Sequence, residues 1–242
     1  GFNSTELKEK LPPYLESRIQ NADALIITGD YRYAPDKEEN PQNVGDFIKK
    51  IASALKLEPE KIFLVAGNHD LDRSEVRSDV IRGVRSTYST SQGTFSAERL
   101  KRLQEDFSFF YKLRKVVYGE DNTTVSTDPH CSISLEHCNL LLLNTALTAG
   151  MEDNGRVDDE RQLLLGSSHL AAVVHDIKNE KPTIAVGHHG LKFLEAHEYD
   201  TCVTFLNEAG VRLYLCGHEH KLWDSVFGNQ GKEITVGCLM QN

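Results

Sequence analysis

Four short apolar runs along the chain each end in a glycine and a polar cluster. Residues 25–28 run into Gly29-Asp30, and residues 62–66 into Gly67-Asn68-His69-Asp70. Residues 183–186 run into Gly187-His188-His189-Gly190, and residues 212–216 into Gly217-His218-Glu219-His220. Apolar runs of this length without alternation predict buried parallel strands. Between the first two, residues 41–57 carry Val44, Phe47, Ile48, Ile51 and Leu55 at helical spacing, so the stretch predicts a strand–helix–strand unit and a parallel first sheet. Residues 131–135 and 140–143, separated by Glu136-His137-Cys138-Asn139, predict a hairpin opening the second half of the sheet. A helix is predicted over 158–178 and a shorter one over 200–208, closed by Gly210. Late strands fall near 224–227 and 233–236. At the start, residues 7–18 are helical, with a break and restart predicted at Pro12-Pro13.

Residues 71–130 carry none of these strand-end clusters. A Ser/Thr/Gly-rich loop at 86–94 leads to Ser96, a good N-cap for one helix running to about Val116. Leu100, Leu103, Phe107, Phe110 and Leu113 line one side of that helix. The segment is expected to be a helical cap inserted into a single domain spanning 1–242. Its basic side chains either meet a phosphorylated substrate or belong to a solvated amphipathic face.

Composition changes the picture in three places. The length suits one α/β domain with a sizeable core. The formal net charge is −9, which argues against a protein that coats nucleic acid nonspecifically. The charge is uneven, however: residues 71–117 hold ten Lys or Arg and six Asp or Glu. The cysteine count is odd and no Cys-x-x-Cys occurs, so buried free thiols in a reducing, cytoplasmic setting are expected. No run approaches a membrane span, and no membrane partner is expected.

The residue types at the four strand ends suit metal chemistry. Asn68 offers a neutral oxygen, the carboxylate of Asp30 and the imidazoles of His188, His218 and His220 offer anionic and neutral donors, and His69 can move a proton. In order and in kind, the GD, GNHD, GH and GHxH motifs resemble the calcineurin-like metallophosphoesterase superfamily. That resemblance implies a four-layer α/β/β/α sandwich. It also implies two divalent metal ions, Mn, Fe or Zn, that activate a shared water as metal-bound hydroxide for attack on a phosphate ester. By the resemblance, Asp30 bridges the two ions, and Asn68, His188 and His218 complete one of them. His220 binds the other. His69 is the general acid, with Asp70 as its orienting partner. Arg32 and His189 are candidates to touch substrate. The family opens on a strand ending in Asp-x-His. None stands before Gly29-Asp30 here, and the expectation is that this strand lies ahead of Gly1, in a chain with further domains.

The phosphoprotein phosphatases carry GDxxDRG and GNHE. This chain has Gly29-Asp30-Tyr31-Arg32-Tyr33-Ala34 and GNHD, so it looks more like the bacterial-type esterases that cleave phosphodiesters of nucleotides or nucleic acids. The expected substrate is a phosphorylated small molecule or a nucleic acid. The competing reading from another class is a noncatalytic binding module on the same fold with an incomplete metal site. A plain nucleotide-binding domain is excluded by the lack of a Gly-rich phosphate loop. His130, His137, His169, His175 and His197 fall outside every motif and are expected to be surface or satisfied core residues.

Overall fold

The computed structural model describes residues 4–32, 39–88, 91–119, 129–153, 156–177, 180–228 and 230–237. The elements run α1 (Ser4–Arg18), β1 (Leu25–Ile27), α2 (Pro41–Ala54), β2 (Ile62–Leu64), α3 (Glu75–Tyr88), α4 (Ala97–Glu105), α5 (Ser108–Tyr118), β3 (His130–Ser134) and β4 (Asn139–Leu143). There follow β5 (Glu152–Asp153), β6 (Arg156–Val157), α6 (Ser167–His175), β7 (Thr183–Val186), α7 (Ala196–Glu208), β8 (Val211–Cys216), β9 (Trp223–Phe227) and β10 (Gly231–Thr235).

The predicted strand–helix–strand unit is present. Asn40 caps α2 by accepting from Gln42 N at 2.9 Å, and Pro41 opens the first turn, where its missing N–H is harmless. Ile48, Ile51 and Ala52 turn inward from α2, and β2 that follows is buried throughout. β1 and β2 pair in parallel. The second sheet has six strands in the order β3-β4-β7-β8-β10-β9. Its β3–β4 hairpin is antiparallel, as the alternation over 131–143 predicts, and β4, β7 and β8 are parallel.

The two sheets face one another through Phe63 and Val65 on one side and Leu140, Leu142 and Val186 on the other. α2 packs on α1 and α5 outside the small sheet, while α6 lies against β3 and α7 against β8. This is the mixed α/β sandwich that the motifs imply. Register places Leu140, Ile184, Leu213, Lys232 and Val226 in one row across the large sheet. Burial fades along that row, from Leu140 at 1 % exposed to Val226 at 75 %. The two-stranded sheet thus covers the β4 end of the face and leaves the β9 end open.

Four sequence expectations are corrected. The helix expected from Ser96 to about Val116 is two helices, α4 and α5, broken at Asp106 and Phe107. Phe107 buries its ring there and Asp106 turns in to meet Arg77, and one straight helix does not serve both contacts. The helix expected over 158–178 is confined to α6. Residues 158–166 instead form an irregular stretch in which Leu163 bridges Leu194, so their apolar side chains are buried without helical bonding; Lys178 lies outside the described residues. α3, which the sequence reading passes over, fills residues 75–88. α1 continues through Pro12 and Pro13. The two prolines remove backbone donors on a helix whose residues are mostly exposed.

Several arginines of α3–α5 make bracing contacts. Arg77 is fully buried; it donates to the carbonyls of Ala149 and Leu147 at 2.9 Å each and pairs with Asp106 at 2.9 Å. Arg82 pairs with Asp79, Arg85 reaches Gln162, Arg99 reaches Thr87, and Arg102 pairs with Glu105 and Asp106. Arg77→Met is expected to lower unfolding free energy by about 3–5 kcal/mol, because it strands a buried carboxylate and several carbonyls. Urea denaturation of the variant checks this, and an unchanged midpoint would refute it.

Candidate metal centre

The four glycine-ended strands bring their polar clusters to one end of the two sheets. Gly29 (φ 100°) and Asp30 (φ 59°) leave β1 in the left-handed region, as do His218 (φ 68°) and His220 (φ 56°) after β8. Non-glycine residues in that region each cost about 1–3 kcal/mol unless the surroundings hold them, and such strain gathers at functional sites. Gly67 is required by contact. A Cβ there would run into the Asp30 carboxylate, and at Gly29 it would meet the His188 ring at 2.7 Å.

Four donor atoms converge. Asn68 Oδ1 lies 3.0 Å from His188 Nε2 and 3.2 Å from His218 Nδ1. Asp30 Oδ1 lies 3.4 Å from the same His188 nitrogen. The other nitrogen of His188, Nδ1, is 2.7 Å from the carbonyl of Thr28, which can only accept, so the ring's proton sits on Nδ1. Burial pushes the His188 pKa down, against the pull of Asp30. A neutral ring with its proton on Nδ1 aims the Nε2 lone pair at two oxygens that also carry only lone pairs. That arrangement is repulsive unless a cation lies among the atoms. Carboxylate, amide oxygen and imidazole are the donor set for Mn, Fe or Zn, and the Nδ1–carbonyl bond is the outer contact that metal-binding histidines make. The residues present therefore fit a divalent metal.

His218 is also held neutral: burial, then the neighbouring His188 imidazole, bring its pKa down to about 4. His220 is exposed at the rim. His69 is half-buried, and its backbone N–H donates to Asp30 Oδ1 at 3.0 Å.

Three of the residues singled out in the sequence have further or different tasks here. Asp70 is fully buried, and its two oxygens accept from the backbone N–H groups of Gly67 (2.8 Å), Asp30 (2.9 Å), Tyr31 (2.7 Å) and Arg32 (3.3 Å). These bonds tie the Asp30 loop to the Asn68 turn, a task the sequence reading did not give Asp70. Burial and then the Asp30 charge push its carboxyl up to about 7, while the Gly67, Tyr31 and Arg32 N–H groups pull it down. Arg32 is 7 % exposed, with Nε on the His69 carbonyl, Nη2 on the Leu71 carbonyl, Nη1 on Asp72, and its guanidinium 5.0 Å from the Phe109 ring centroid. It pins the Asn68 turn from behind and does not reach outward for phosphate. His189 is fully buried rather than lining an open pocket, and burial drives its pKa well down. With His188 and His218 it forms a triad of histidines whose nitrogens lie within 4.8 Å of one another.

The sequence reading assigned no role to Thr145 and Tyr214, which hold the His188-His189 turn. Thr145 Oγ1 accepts from His188 N at 3.0 Å and His189 N at 2.9 Å, and Tyr214 Oη donates to the His189 carbonyl at 2.7 Å. The legible signal for Thr145 was its place at the end of the apolar run 140–143, level with the other strand-end clusters. Of the five histidines outside the motifs, His130 is a satisfied core residue, with Nε2 2.8 Å from the Leu165 carbonyl.

A family model described as calcineurin-like phosphoesterase matches residues 3–222. A Bacillus subtilis (strain 168) relative, "Uncharacterized metallophosphoesterase-like protein YydB", is 24% identical over 259 residues. That alignment takes in 100% of this chain and 51% of the relative, so the chain spans about half the length of the curated relative it matches. Among solved structures, a dimetal phosphatase from Danio rerio superposes with a TM-score of 0.48 at 13% identity, covering 98% of this chain and 78% of that one. The protein TT1561 of Thermus thermophilus superposes with a TM-score of 0.47 at 14% identity, covering 97% of this chain and 84% of that one.

Proposed function

The chain belongs to the calcineurin-like phosphoesterase family, and from that premise we propose that it hydrolyses phosphate esters, phosphodiesters in preference to monoesters, at a divalent metal centre built on Asp30, Asn68, His188 and His218. The observation that carries the reading is the convergence of Asp30 Oδ1, Asn68 Oδ1, His188 Nε2 and His218 Nδ1, with the His188 proton turned away onto the Thr28 carbonyl. Asp30 and His220 are the chain's contribution to a second ion. Bound divalent metal supplies the Lewis acidity that neutralises the phosphate and lowers the pKa of an attacking water.

The chain's own residues supply the rest. Asp30 holds one carboxylate oxygen at the centre while accepting from His69 N, so the bridging group and the acid sit in one hydrogen-bonded unit. His69 protonates the departing alkoxide, whose instability is the barrier to ester cleavage in water. Asp70 and Arg32 keep the turn that carries Asn68 and His69 in place from opposite sides. His189 packs behind the ligands, its ring against those of His188 and His218.

The test is hydrolysis of bis(p-nitrophenyl) phosphate and p-nitrophenyl phosphate by protein supplied with Mn²⁺, Zn²⁺ or Fe²⁺. Metal-dependent turnover is expected, faster on the diester, abolished by a chelator and restored by adding metal back. Metal uptake without turnover of either ester would turn the reading into a binding module on this fold.

A further inference from the structure

His218 and His220 both take the left-handed conformation, and Glu219 lies between them. The Glu219 side chain is anchored at both oxygens. Oε1 accepts from Lys192 Nζ at 2.6 Å, and Oε2 accepts from Trp223 Nε1 at 2.8 Å. Lys192 in turn sits 4.9 Å from the Trp223 ring centroid and 5.5 Å from that of Phe193. Phe193 meets the His218 ring edge to face, with centroids 4.7 Å apart at 87°. Lys192 and Phe193 belong to the short 3-10 turn Leu191–Phe193 that follows His188-His189-Gly190. The loop carrying one imidazole ligand therefore grips the loop carrying two others, and Trp223 ties both to the first residue of β9.

We propose that Glu219, held by Lys192 and Trp223, is a positioning residue of the metal centre, keeping the His218–His220 turn in the conformation that aims both imidazoles at the metals. The proposal rests on the metal-centre reading above. The two oxygens of Glu219 accept from Lys192 and Trp223, and its side chain is not among the four converging donors of the centre. The Lys192–Glu219 pair alone would be weak, since those side chains are 48% and 23% exposed. The brace comes from convergence: an ion pair and an indole N–H meet at one carboxylate, and a cation–ring contact joins the two donors, which come from the His188 loop and from the sheet.

The experiment is a competition titration of Zn²⁺ and Mn²⁺ against a chelating dye. It is run on the full chain and on Glu219→Ala, Glu219→Gln, Trp223→Phe and the Glu219→Ala/Trp223→Phe pair. The visible spectrum of the Co²⁺-loaded protein is a second readout. Glu219→Ala is expected to weaken metal binding by about 10–100-fold, the range for losing an outer partner of a metal ligand, and to alter the Co²⁺ bands. Glu219→Gln, which keeps an acceptor and loses the ion pair, falls between. The double variant binds no more weakly than Glu219→Ala alone, because both changes act through one carboxylate. The melting temperature of each metal-free variant stays at the wild-type value. Wild-type affinity and spectrum in Glu219→Ala overturn the brace. If the unmodified chain takes up no metal, the metal-centre reading fails first and the brace falls with it, a result visible before any substitution is compared. Should Glu219→Ala not fold, Glu219→Gln and Trp223→Phe carry the same comparison.

Discussion

An Asn68→Ala variant is expected to lose metal affinity by at least about 100-fold, the upper end of what even an outer partner of a metal ligand contributes. Asn68 is 5 % exposed, and its Oδ1 faces both His188 Nε2 and His218 Nδ1 at hydrogen-bond distance. Removing it takes away the neutral oxygen donor and leaves the two imidazoles facing a void. The backbone around it is held independently by Asp70 and Arg32, so the fold survives the change. Elemental analysis and a dye competition on the folded variant measure the loss. Metal content equal to wild type would remove Asn68 from the ligand set. That result would mean the amide is turned about, donating N–H to the two rings in place of offering them a shared cation.

A His69→Ala variant is expected to keep its metal and lose turnover by about 10²–10⁴-fold, the span for a positioned general acid. The separation of the two effects is the point of the variant. His69 contributes its backbone N–H to Asp30, and that bond survives truncation of the side chain. The loss should also shrink with a better leaving group, since a nitrophenolate departs without a proton and an alkoxide does not. Rates on an aryl and an alkyl diester, with metal content measured alongside, check this. Loss of metal in His69→Ala would make His69 a ligand. Equal losses on both esters would argue against proton donation.

The strand–helix–strand unit, the β3–β4 hairpin and the strand-end clusters were legible because period and punctuation agree there: apolar runs, then glycine, then polar side chains. Asp30, Asn68, His188 and His218 stand at those ends and were assigned by the family resemblance, and the fold brings their donor atoms within one another's reach. What failed to read has physical causes. The two helices α4 and α5 share one apolar stripe, and the break between them is set by the ion pair of Arg77 with Asp106, which is tertiary. The apolar residues at 163–165 imitate a helix, yet they are buried by an isolated bridge to Leu194. Charge was the least informative signal. The ten basic residues on 71–117 left a substrate-facing role and a solvated face both open; in the structure Arg77 turns inward to carbonyls and Asp106, while Arg82 and Arg102 pair with local acids. The bracing by Asp70 and Arg32 was illegible for a related reason. Their residue types suit catalysis and phosphate binding, but both are buried, and a buried charge spends its hydrogen bonds on the backbone around it. Among the described residues no helix is long and apolar enough to cross a membrane.

The central claim is that Asp30, Asn68, His188 and His218 hold a divalent metal. Metal content per chain, measured by elemental analysis on protein purified without chelator and then exchanged against Mn²⁺ or Zn²⁺, tests it most directly. At least one tightly held ion per chain is the predicted result, falling away in Asn68→Ala. A chain that stays metal-free under both ions, while remaining folded, would contradict the account.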